Sequence, residues 1–292
     1  MATQHYVAPE TLEDALSLKR ESGADVRVIA GGTDLILRMR DRVFTPKVLL
    51  DLRRVSLDTF ASAGGELRIG ACATHSQILA NAEIESQFPA LAEACRQFAG
   101  PPIRNRGTVG GNIVNASPAA DLVPPLIAYD ARIVLSSTSG HRELSLEDFF
   151  IGPGQTVIEP DEILTEVRLS LMPPGTAASF IKLGQRRSMA IAIVNLCTRL
   201  SLDADGKVAA ARIVLGAVAP TPMRAVTAEK LLTGKIISTD LLAEAAQTAS
   251  EEIAPITDVR ASGAYRKRMT AVLVRRSLTT AWDEVGRDLS ND

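Results

Sequence analysis

Two glycine-rich segments hold the residue types with the clearest chemistry. The first spans residues 29–34 (IAGGTD) and directly follows a short β-branched segment. Paired glycines let the backbone turn tightly and approach a ligand closely, and successive backbone N–H groups there can surround phosphate oxygens. The N-terminus of a following helix adds its positive end. The segment alone leaves open a plain strand-to-helix turn, with Thr33 or Asp34 as the N-cap.

The second segment spans residues 107–112 (GTVGGN) and repeats this chemistry with paired glycines, a hydroxyl and an amide. Asp121 follows a few residues later. Two loops of this kind in one domain suit a ligand with two phosphates. A nearby carboxylate can hold ribose hydroxyls or cap a short helix.

Motifs for several other nucleotide sites and hydrolases are missing. The sequence has no G-x-G-x-x-G dinucleotide turn, no G-x-x-x-x-G-K-[ST] phosphate loop and no G-x-S-x-G nucleophile elbow. The histidines are too dispersed to indicate a metal site or a catalytic triad, so we expect each to be satisfied or solvent-facing. They are His5, His75 and His141. The sequence therefore predicts neither a metal site nor a catalytic side chain.

The three cysteines are scattered, at positions 72, 95 and 197. They cannot supply the four thiolates of an ordinary iron–sulfur cluster, and they form a poor disulfide framework. We expect buried, unreactive thiols in a reducing compartment.

The bulk composition is that of a soluble globular protein. A length of 292 residues suggests two domains, and a net charge of −2 lacks the basic excess of a nucleic-acid binder. The N-terminus resembles no signal peptide, and no run of about 18 apolar residues exists. We therefore expect a cytoplasmic protein.

The apolar periodicity predicts a small β-α-β unit followed by a second α+β region. The helices expected in the first 175 residues span 11–19, 35–39, 74–80 and 89–98. The strands expected there span 26–30, 48–52, 66–71, 131–136 and 163–171. Residues 100–120 are expected to form an irregular but ordered functional loop, because apolar residues are embedded in it.

The segment 172–175 (MPPG) is the best domain boundary. Beyond it the pattern predicts strands 179–183, 190–202 and 208–218, then helices 227–232, 241–253 and 259–284. The resulting organisation is a domain at 1–175 with subdomains 1–55 and 56–175, a domain at 176–286 and a tail at 287–292. For the long last helix we favour core packing over a partner surface. Its apolar side is formed by Tyr265, Met269, Val272 and Leu273.

Several segments together resemble the FAD-binding medium subunits of the xanthine and carbon monoxide dehydrogenases. Residues 30–35 (AGGTDL) and 108–113 (TVGGNI), the latter continuing to Asp121 and Leu122, resemble the two FAD pyrophosphate loops. Three further segments match in the same order along the chain. They are 97–100 (QFAG), 161–164 (DEIL) and 180–187 (FIKLGQRR).

The resemblance implies an α+β fold with a two-part FAD-binding domain of the PCMH type, which is vanillyl-alcohol-oxidase-like. A C-terminal flavoprotein domain with a small antiparallel sheet and helices would follow it. The cofactor would be non-covalent FAD. The implied cofactor-binding residues are Ile29, Ala30, Gly31, Gly32, Thr33, Asp34, Leu35, Phe98, Ala99, Gly100, Thr108, Gly110, Gly111, Asn112, Asp121, Leu164 and Lys182.

The resemblance also implies individual roles. The glycines and threonines of both loops would hold pyrophosphate, and Asp121 would bind ribose or ribityl hydroxyls. Phe98 and Leu164 would pack against the flavin ring, and Lys182 would lie near its pyrimidine end. The residue types alone leave open that Phe98 and Leu164 are core residues and that Lys182 is a solvated strand lysine.

Two features depart from the family pattern. The chain lacks the cysteine-rich insertion that holds an extra iron–sulfur cluster in the hydroxybenzoyl-CoA reductases. It also has Ala190, within residues 188–192, where many relatives have an acidic residue.

The function implied by the resemblance is an electron relay. A large molybdopterin subunit would hydroxylate substrate, and a small subunit would carry electrons through [2Fe–2S] clusters. This subunit would pass them through FAD to NAD, oxygen or a quinone, within paired heterotrimers. The alternatives are a stand-alone FAD-dependent reductase or oxidase of the same fold and a cofactor-free scaffold subunit.

Overall fold

The computed structural model describes residues 5–289, and its first part is a small parallel sheet. Strand β3 lies in the centre, between β1 and β2. The Thr11 hydroxyl caps the first helix by accepting a hydrogen bond from the Asp14 N–H. The elements are β1 (His5–Val7), α1 (Leu12–Ser22), β2 (Val26–Ile29), α2 (Leu35–Arg40) and β3 (Val48–Asp51).

The second part is a five-stranded antiparallel sheet with helices on its core side. Its strand order is β4-β5-β10-β6-β7, and β8 pairs with β9 separately. The elements are β4 (Phe60–Ala63), β5 (Glu66–Gly70), α3 (His75–Ala80), α4 (Ala82–Gln87), α5 (Pro89–Gln97), α6 (Pro101–Arg104), α7 (Val109–Val114), α8 (Val123–Ala128), β6 (Arg132–Ser137), β7 (Gly140–Ser145), β8 (Phe150–Gly152), β9 (Gln155–Thr156) and β10 (Ile163–Ser170).

The expectation of an irregular segment at 100–120 is wrong in part, because α6 and α7 lie within it. Prolines occupy the first turn of α6, where the missing N–H is not needed. Thr108 caps α7. Helices of four and six residues are too short to give a clear apolar period, and paired prolines and glycines conceal them.

The third part is an antiparallel sheet of order β11-β12-β13-β14, followed by helices. The sequence predicted three of these strands, and the fourth is only two residues long. The last helix continues to Leu289, past the predicted start of the tail at 287, and residues 290–292 lie outside the described residues. The elements are β11 (Thr176–Gly184), β12 (Ala192–Leu202), β13 (Val208–Gly216), β14 (Met223–Arg224), α9 (Val226–Leu232), α10 (Thr239–Glu251) and α11 (Gly263–Leu289).

The sheet β11–β14 lies between two layers of helices. One face packs against α5 and α8 and contributes Phe180, Cys197 and Val214 to the core of the second part. The other face packs against α11, and α9 and α10 complete a separate core. Leu273 of α11 is buried there, with Tyr265 and Met269 partly buried against the same cluster, whereas Val272 is half-buried and lies outside that cluster. The preference for core packing of this helix is confirmed.

All three cysteines are buried and unpaired, as expected. Burial raises the pKa of Cys72 to about 12 and also raises the pKa values of Cys95 and Cys197. Thiols with such pKa values are poor nucleophiles near neutral pH. Within residues 5–289, no helix is both long enough and apolar enough to span a membrane.

Candidate functional site

The two glycine-rich loops meet in the folded protein. Gly31 lies so close to the other loop that an added Cβ would be 1.9 Å from the Arg106 carbonyl oxygen and 3.0 Å from the Gly107 Cα. Only a residue without a side chain permits this approach. The contact brings the end of β2 directly against the residues that lead into α7.

The first loop presents unused backbone donors. Among residues 5–289, none accepts a hydrogen bond from the N–H groups of Gly31, Gly32, Thr33 or Asp34. Asp34 precedes α2 but makes no side-chain capping bond, and its carboxylate pairs with Arg38 at 2.7 Å. Four successive free donors at a helix N-terminus favour an anion-binding loop over a side-chain-capped turn.

The second loop differs, because its backbone donors are engaged within the described part of the chain, apart from the Thr108 N–H. The Gly110 N–H donates to the Ala71 carbonyl at 2.8 Å, and the Val109 N–H donates to the Ala73 carbonyl at 2.9 Å. The Thr108 hydroxyl accepts the Gly111 N–H at 3.1 Å. This loop is thus fixed in shape by α3 and the end of β5. Its side chains remain, and among the described residues the buried Asn112 Oδ1 has no hydrogen-bond partner.

A buried histidine links the second loop to the predicted flavin-ring residues. His75 is 1% exposed, its Nδ1–H donates to the Gly107 carbonyl at 2.6 Å, and its ring stacks on Phe98 with centroids 4.2 Å apart. Burial lowers the pKa of His75 to about 4, so the ring is neutral near pH 7. Among the described residues, its Nε2 has no partner. The expectation that His75 is satisfied or solvent-facing is therefore wrong in part, because the buried ring has a partner at Nδ1 but none at Nε2 among the described residues.

The segment after α5 is held in an unusual conformation. Ala99 has a φ of 42°, in the left-handed region that alanine rarely adopts. The Phe98 carbonyl accepts a hydrogen bond from Arg104 Nη1 at 2.9 Å, which helps to fix this turn. Gly100 is buried, and the Met189 side chain covers it. Residues 98–100 thus form a rigid connection between α5 and α6.

Asp121 and Lys182 form a buried ion pair between the two domains. The Lys182 Nζ lies 2.5 Å from Asp121 Oδ2 and 3.3 Å from the Gln97 carbonyl, next to Phe98. Burial raises the pKa of Asp121, and the ammonium of Lys182 and the amide of Asn195 oppose that rise. The alternative of a solvated strand lysine is wrong, since the Lys182 side chain is only 6% exposed.

Leu164 lies on β10 and is fully packed in the core of the second part. Its position favours the core alternative for this residue. Phe98 is instead only half-buried, which leaves part of its ring accessible.

The arrangement fits an FAD molecule. Free N–H groups in the first loop suit phosphate oxygens, and the Asp121 carboxylate suits sugar or ribityl hydroxyls. The partly exposed Phe98 ring suits a flat aromatic group. Across residues 5–289, no three His, Cys, Asp or Glu side chains are grouped so that they could hold a metal ion.

Two protein-family models cover most of the chain. Residues 2–171 match the FAD binding domain in molybdopterin dehydrogenase, and residues 179–281 match the CO dehydrogenase flavoprotein C-terminal domain. The chain belongs to the family of FAD-binding medium subunits of molybdenum hydroxylases. It is therefore an oxidoreductase subunit with the α+β fold that the resemblance implied.

Relatives of this medium-subunit family match over nearly their whole length. The carbon monoxide dehydrogenase medium chain of Hydrogenophaga pseudoflava is 31% identical over 95% of this chain and 96% of its own. The putative xanthine dehydrogenase FAD-binding subunit of Escherichia coli K12 is 30% identical over 99% of this chain and 98% of its own. The solved structure of carbon monoxide dehydrogenase from Hydrogenophaga pseudoflava superposes with a TM-score of 0.92 at 31% identity, covering 96% of this chain and 97% of the other.

Asn195 is a residue of this medium subunit that sequence reasoning missed. It is fully buried on β12 and donates to Asp121 Oδ1 at 3.0 Å. The available signal was a single amide between the apolar residues Val194 and Leu196, because a buried amide needs a hydrogen-bond partner. Without the fold, nothing in the sequence shows that the partner is Asp121.

Proposed function

We propose that this chain binds FAD non-covalently and serves as the electron-transfer subunit of a multi-subunit molybdenum hydroxylase. Electrons from the [2Fe–2S] clusters of a small partner subunit would reach NAD, oxygen or a quinone through this subunit. The observation that carries the proposal is the meeting of the first glycine loop, with its free N–H groups, and the second loop beside the Asp121–Lys182 pair. Family membership supports the same assignment.

FAD, when bound, supplies the one-electron and two-electron chemistry, so the protein needs no general base of its own. The residues of this chain bind and orient it. The first loop offers its N–H groups at Gly31, Gly32, Thr33 and Asp34 to an anion. The positively charged end of α2 adds to the attraction of this loop for phosphate.

The other predicted contacts have distinct tasks. Asp121 would accept hydrogen bonds from hydroxyls, and Lys182 would provide a fixed positive charge near the ring. Phe98 would pack on the ring with its partly exposed face, while His75 holds the Phe98 ring from behind. Ile29, Ala30 and Leu35 would line the turn around the first loop. These assignments stay predictions. So do the cofactor contacts predicted for Ala99, Gly100, Thr108, Gly110, Gly111, Asn112 and Leu164.

The visible absorption spectrum of the purified chain tests the proposal first. We expect flavin bands, and we expect the coloured compound to be released as intact FAD by heat or acid, because the binding is non-covalent. The apoprotein should take up added FAD. A colourless protein that fails to take up FAD would contradict the proposal and favour the scaffold alternative.

Activity measurements separate the relay from a stand-alone enzyme. The purified flavoprotein alone should not oxidise or reduce a substrate, whereas mixing it with its partner subunits should permit electron transfer to an acceptor. Turnover of an organic substrate by this chain alone would support the stand-alone reductase or oxidase instead. His75 is neutral and buried, so its ring carries no extra proton for such a reaction near neutral pH.

The proposed partners are a large molybdopterin subunit and a small [2Fe–2S] subunit, assembled as paired heterotrimers. The matched relatives include medium chains by name, which supports a multi-subunit setting. A cytoplasmic location also stays a prediction. We further propose the domain division near residue 175, since β10 ends at Ser170 and β11 begins at Thr176.

A further inference from the structure

Asn195 is a buried amide whose hydrogen bonds cross between the two domains. It lies on β12 with no exposed surface, and its Nδ2 donates to Asp121 Oδ1 at 3.0 Å and to the Ala120 carbonyl at 3.2 Å. Its strand neighbours are apolar, so packing alone would be satisfied by an apolar side chain at this position. The presence of an amide at position 195 is therefore accounted for by its hydrogen bond to Asp121 and not by core packing.

The two carboxylate oxygens of Asp121 are held by different donors from the C-terminal domain. Lys182 on β11 binds Oδ2 at 2.5 Å, and Asn195 on β12 binds Oδ1. A carboxylate held at both oxygens cannot rotate freely. Its remaining lone pairs therefore point in fixed directions.

Gly216 on β13 leaves the space that the amide occupies. It pairs with Asn195 in the sheet, and a Cβ added to it would lie 2.1 Å from Asn195 Oδ1. Among the described residues, Oδ1 has no hydrogen-bond partner, so the amide uses only its donor end. The missing side chain of Gly216 thus allows the orientation in which Nδ2 faces Asp121.

We infer that Asn195, accommodated by Gly216, is a positioning residue that orients the Asp121 carboxylate toward the hydroxyl groups of the bound cofactor. This inference rests on the proposed function, in which the chain binds FAD through Asp121. Through Asn195 and Lys182, the C-terminal domain completes a site whose other predicted contacts lie in the FAD-binding domain.

The charged groups around Asn195 are few. Lys182 on β11 and Asp121 before α8 are the nearest charges on those elements, and Arg212 on β13 pairs with Asp130 at the far end of α8. On the opposite face, Arg266 of α11 donates to the Ile193 and Ala217 carbonyls. A new carboxylate at position 195 would therefore face Asp121 directly, and its pKa would be raised by that charge and by burial.

The substitution Asn195→Asp tests the inference because it keeps the shape and makes the donor depend on pH. When protonated, the new carboxyl can donate to Asp121, and when ionised it repels Asp121. We expect the FAD dissociation constant, relative to wild type at the same pH, to rise roughly tenfold to a hundredfold at pH 8.5. At pH 5.5 the ratio of the variant's FAD dissociation constant to that of the wild type should return toward one.

Two further variants make the test independent of that titration. Asn195→Leu removes the donor at every pH, so its FAD affinity should be reduced equally at pH 5.5 and 8.5. Gly216→Ala leaves the residues Asp121, Lys182 and Asn195 unsubstituted, but its methyl group would displace the Asn195 amide, so it should also weaken FAD binding. In the double variant Asn195→Leu/Gly216→Ala, the two losses of FAD affinity should not add, because both substitutions remove the same hydrogen bond to Asp121.

Thr198→Val is the matched control. Thr198 lies on the same strand, is equally buried and bonds to Ser277 at 2.7 Å on the α11 side, away from Asp121. It should lower the melting temperature without changing the FAD dissociation constant.

The outcomes separate the two claims. Wild-type protein that binds no FAD contradicts the proposed function itself. Wild-type protein that binds FAD, with Asn195→Asp and Gly216→Ala variants of unchanged affinity, overturns only the positioning role. A loss in Asn195→Asp that is equal at both pH values also overturns it, because the donor state would then not matter. If Asn195→Leu does not fold, the other two variants still decide.

Discussion

At the scale of single residues, the closest constraint is the contact between Gly31 and the Arg106 carbonyl oxygen. This contact sets the distance between the two glycine loops, and both loops are predicted to contact the same cofactor. A side chain at position 31 would force the loops apart. A substitution at position 31 should therefore weaken ligand binding more than it destabilises the rest of the fold.

We expect Gly31→Ala to raise the FAD dissociation constant roughly fivefold to 150-fold, because overpacking of this kind costs about 1–3 kcal/mol. Titration of apoprotein with FAD, followed by flavin fluorescence, measures the change. Gly286→Ala in α11 is the control, since a Cβ there has no neighbour within 4 Å. That variant should bind FAD normally and gain slightly in stability. Equal affinity in both variants would contradict the required close approach.

His75 gives a prediction for the dependence of stability on pH. Its pKa is lowered to about 4 in the folded protein, so the unfolded chain binds a proton more readily. The free energy of unfolding is therefore unaffected by this group above about pH 6.5. It should fall by about 3 kcal/mol as the pH falls from about 6.5 to below 4.

Urea unfolding at several pH values checks this prediction. The slope of the unfolding free energy between pH 4.5 and 6.5 should decrease in His75→Gln. His141→Gln should keep the wild-type slope, because His141 is exposed on β7. An unchanged slope in His75→Gln would show that other groups cause the acid sensitivity.

At the scale of elements, short helices hold the site in place. Helix α7 begins at the second glycine loop, and its N-terminus depends on one side chain, since the Thr108 hydroxyl accepts the Gly111 N–H. With only six residues, α7 has little intrinsic stability and relies on its cap and its buried residues.

Thr108→Val should therefore cost about 1 kcal/mol of stability and also weaken FAD binding. The first is measured by thermal unfolding of the apoprotein and the second by FAD titration. Ser238→Ala removes the equivalent cap from α10, where Ser238 accepts the Leu241 N–H at 3.2 Å. It should cause a similar loss of stability with no loss of FAD affinity. A Thr108→Val variant of full affinity would mean that the cap serves the helix alone.

At the scale of the whole molecule, the two domains share a core. Side chains of the C-terminal sheet, such as Phe180 and Val214, belong to the same apolar cluster as α5 and α8 of the FAD-binding domain. Ion pairs between Asp130 and both Arg199 and Arg212 cross the same boundary. The domains should therefore unfold together.

Two probes can test this coupling within one sample. Trp282 is the single tryptophan and packs in the C-terminal core, whereas released FAD reports the N-terminal site. We expect the tryptophan signal and flavin release to share one midpoint on heating. Flavin release that precedes the tryptophan transition by more than about 5 °C, a difference of roughly 1–2 kcal/mol for chains of this size, would show that the domains unfold separately.

Much of this protein follows from local sequence. The long strands and helices are confirmed nearly at their predicted limits, because their apolar spacing repeats over many residues. The glycine pair after β2 indicated a backbone loop open to a ligand, and a proline-glycine run predicts the domain boundary near residue 175. The family resemblance, which the comparisons confirm, added the cofactor that local pattern alone could not name.

The tertiary structure decided which residues meet. The two glycine loops look equivalent in sequence, yet only the first keeps four successive free N–H groups. In the second, the Ala71 and Ala73 carbonyls between β5 and α3 accept the Gly110 and Val109 N–H groups. The stacking of His75 on Phe98 and the hydrogen bond from Asn195 to Asp121 join residues far apart along the chain. Such contacts depend on how sheets and helices pack, and a periodic pattern records only which face of an element is buried.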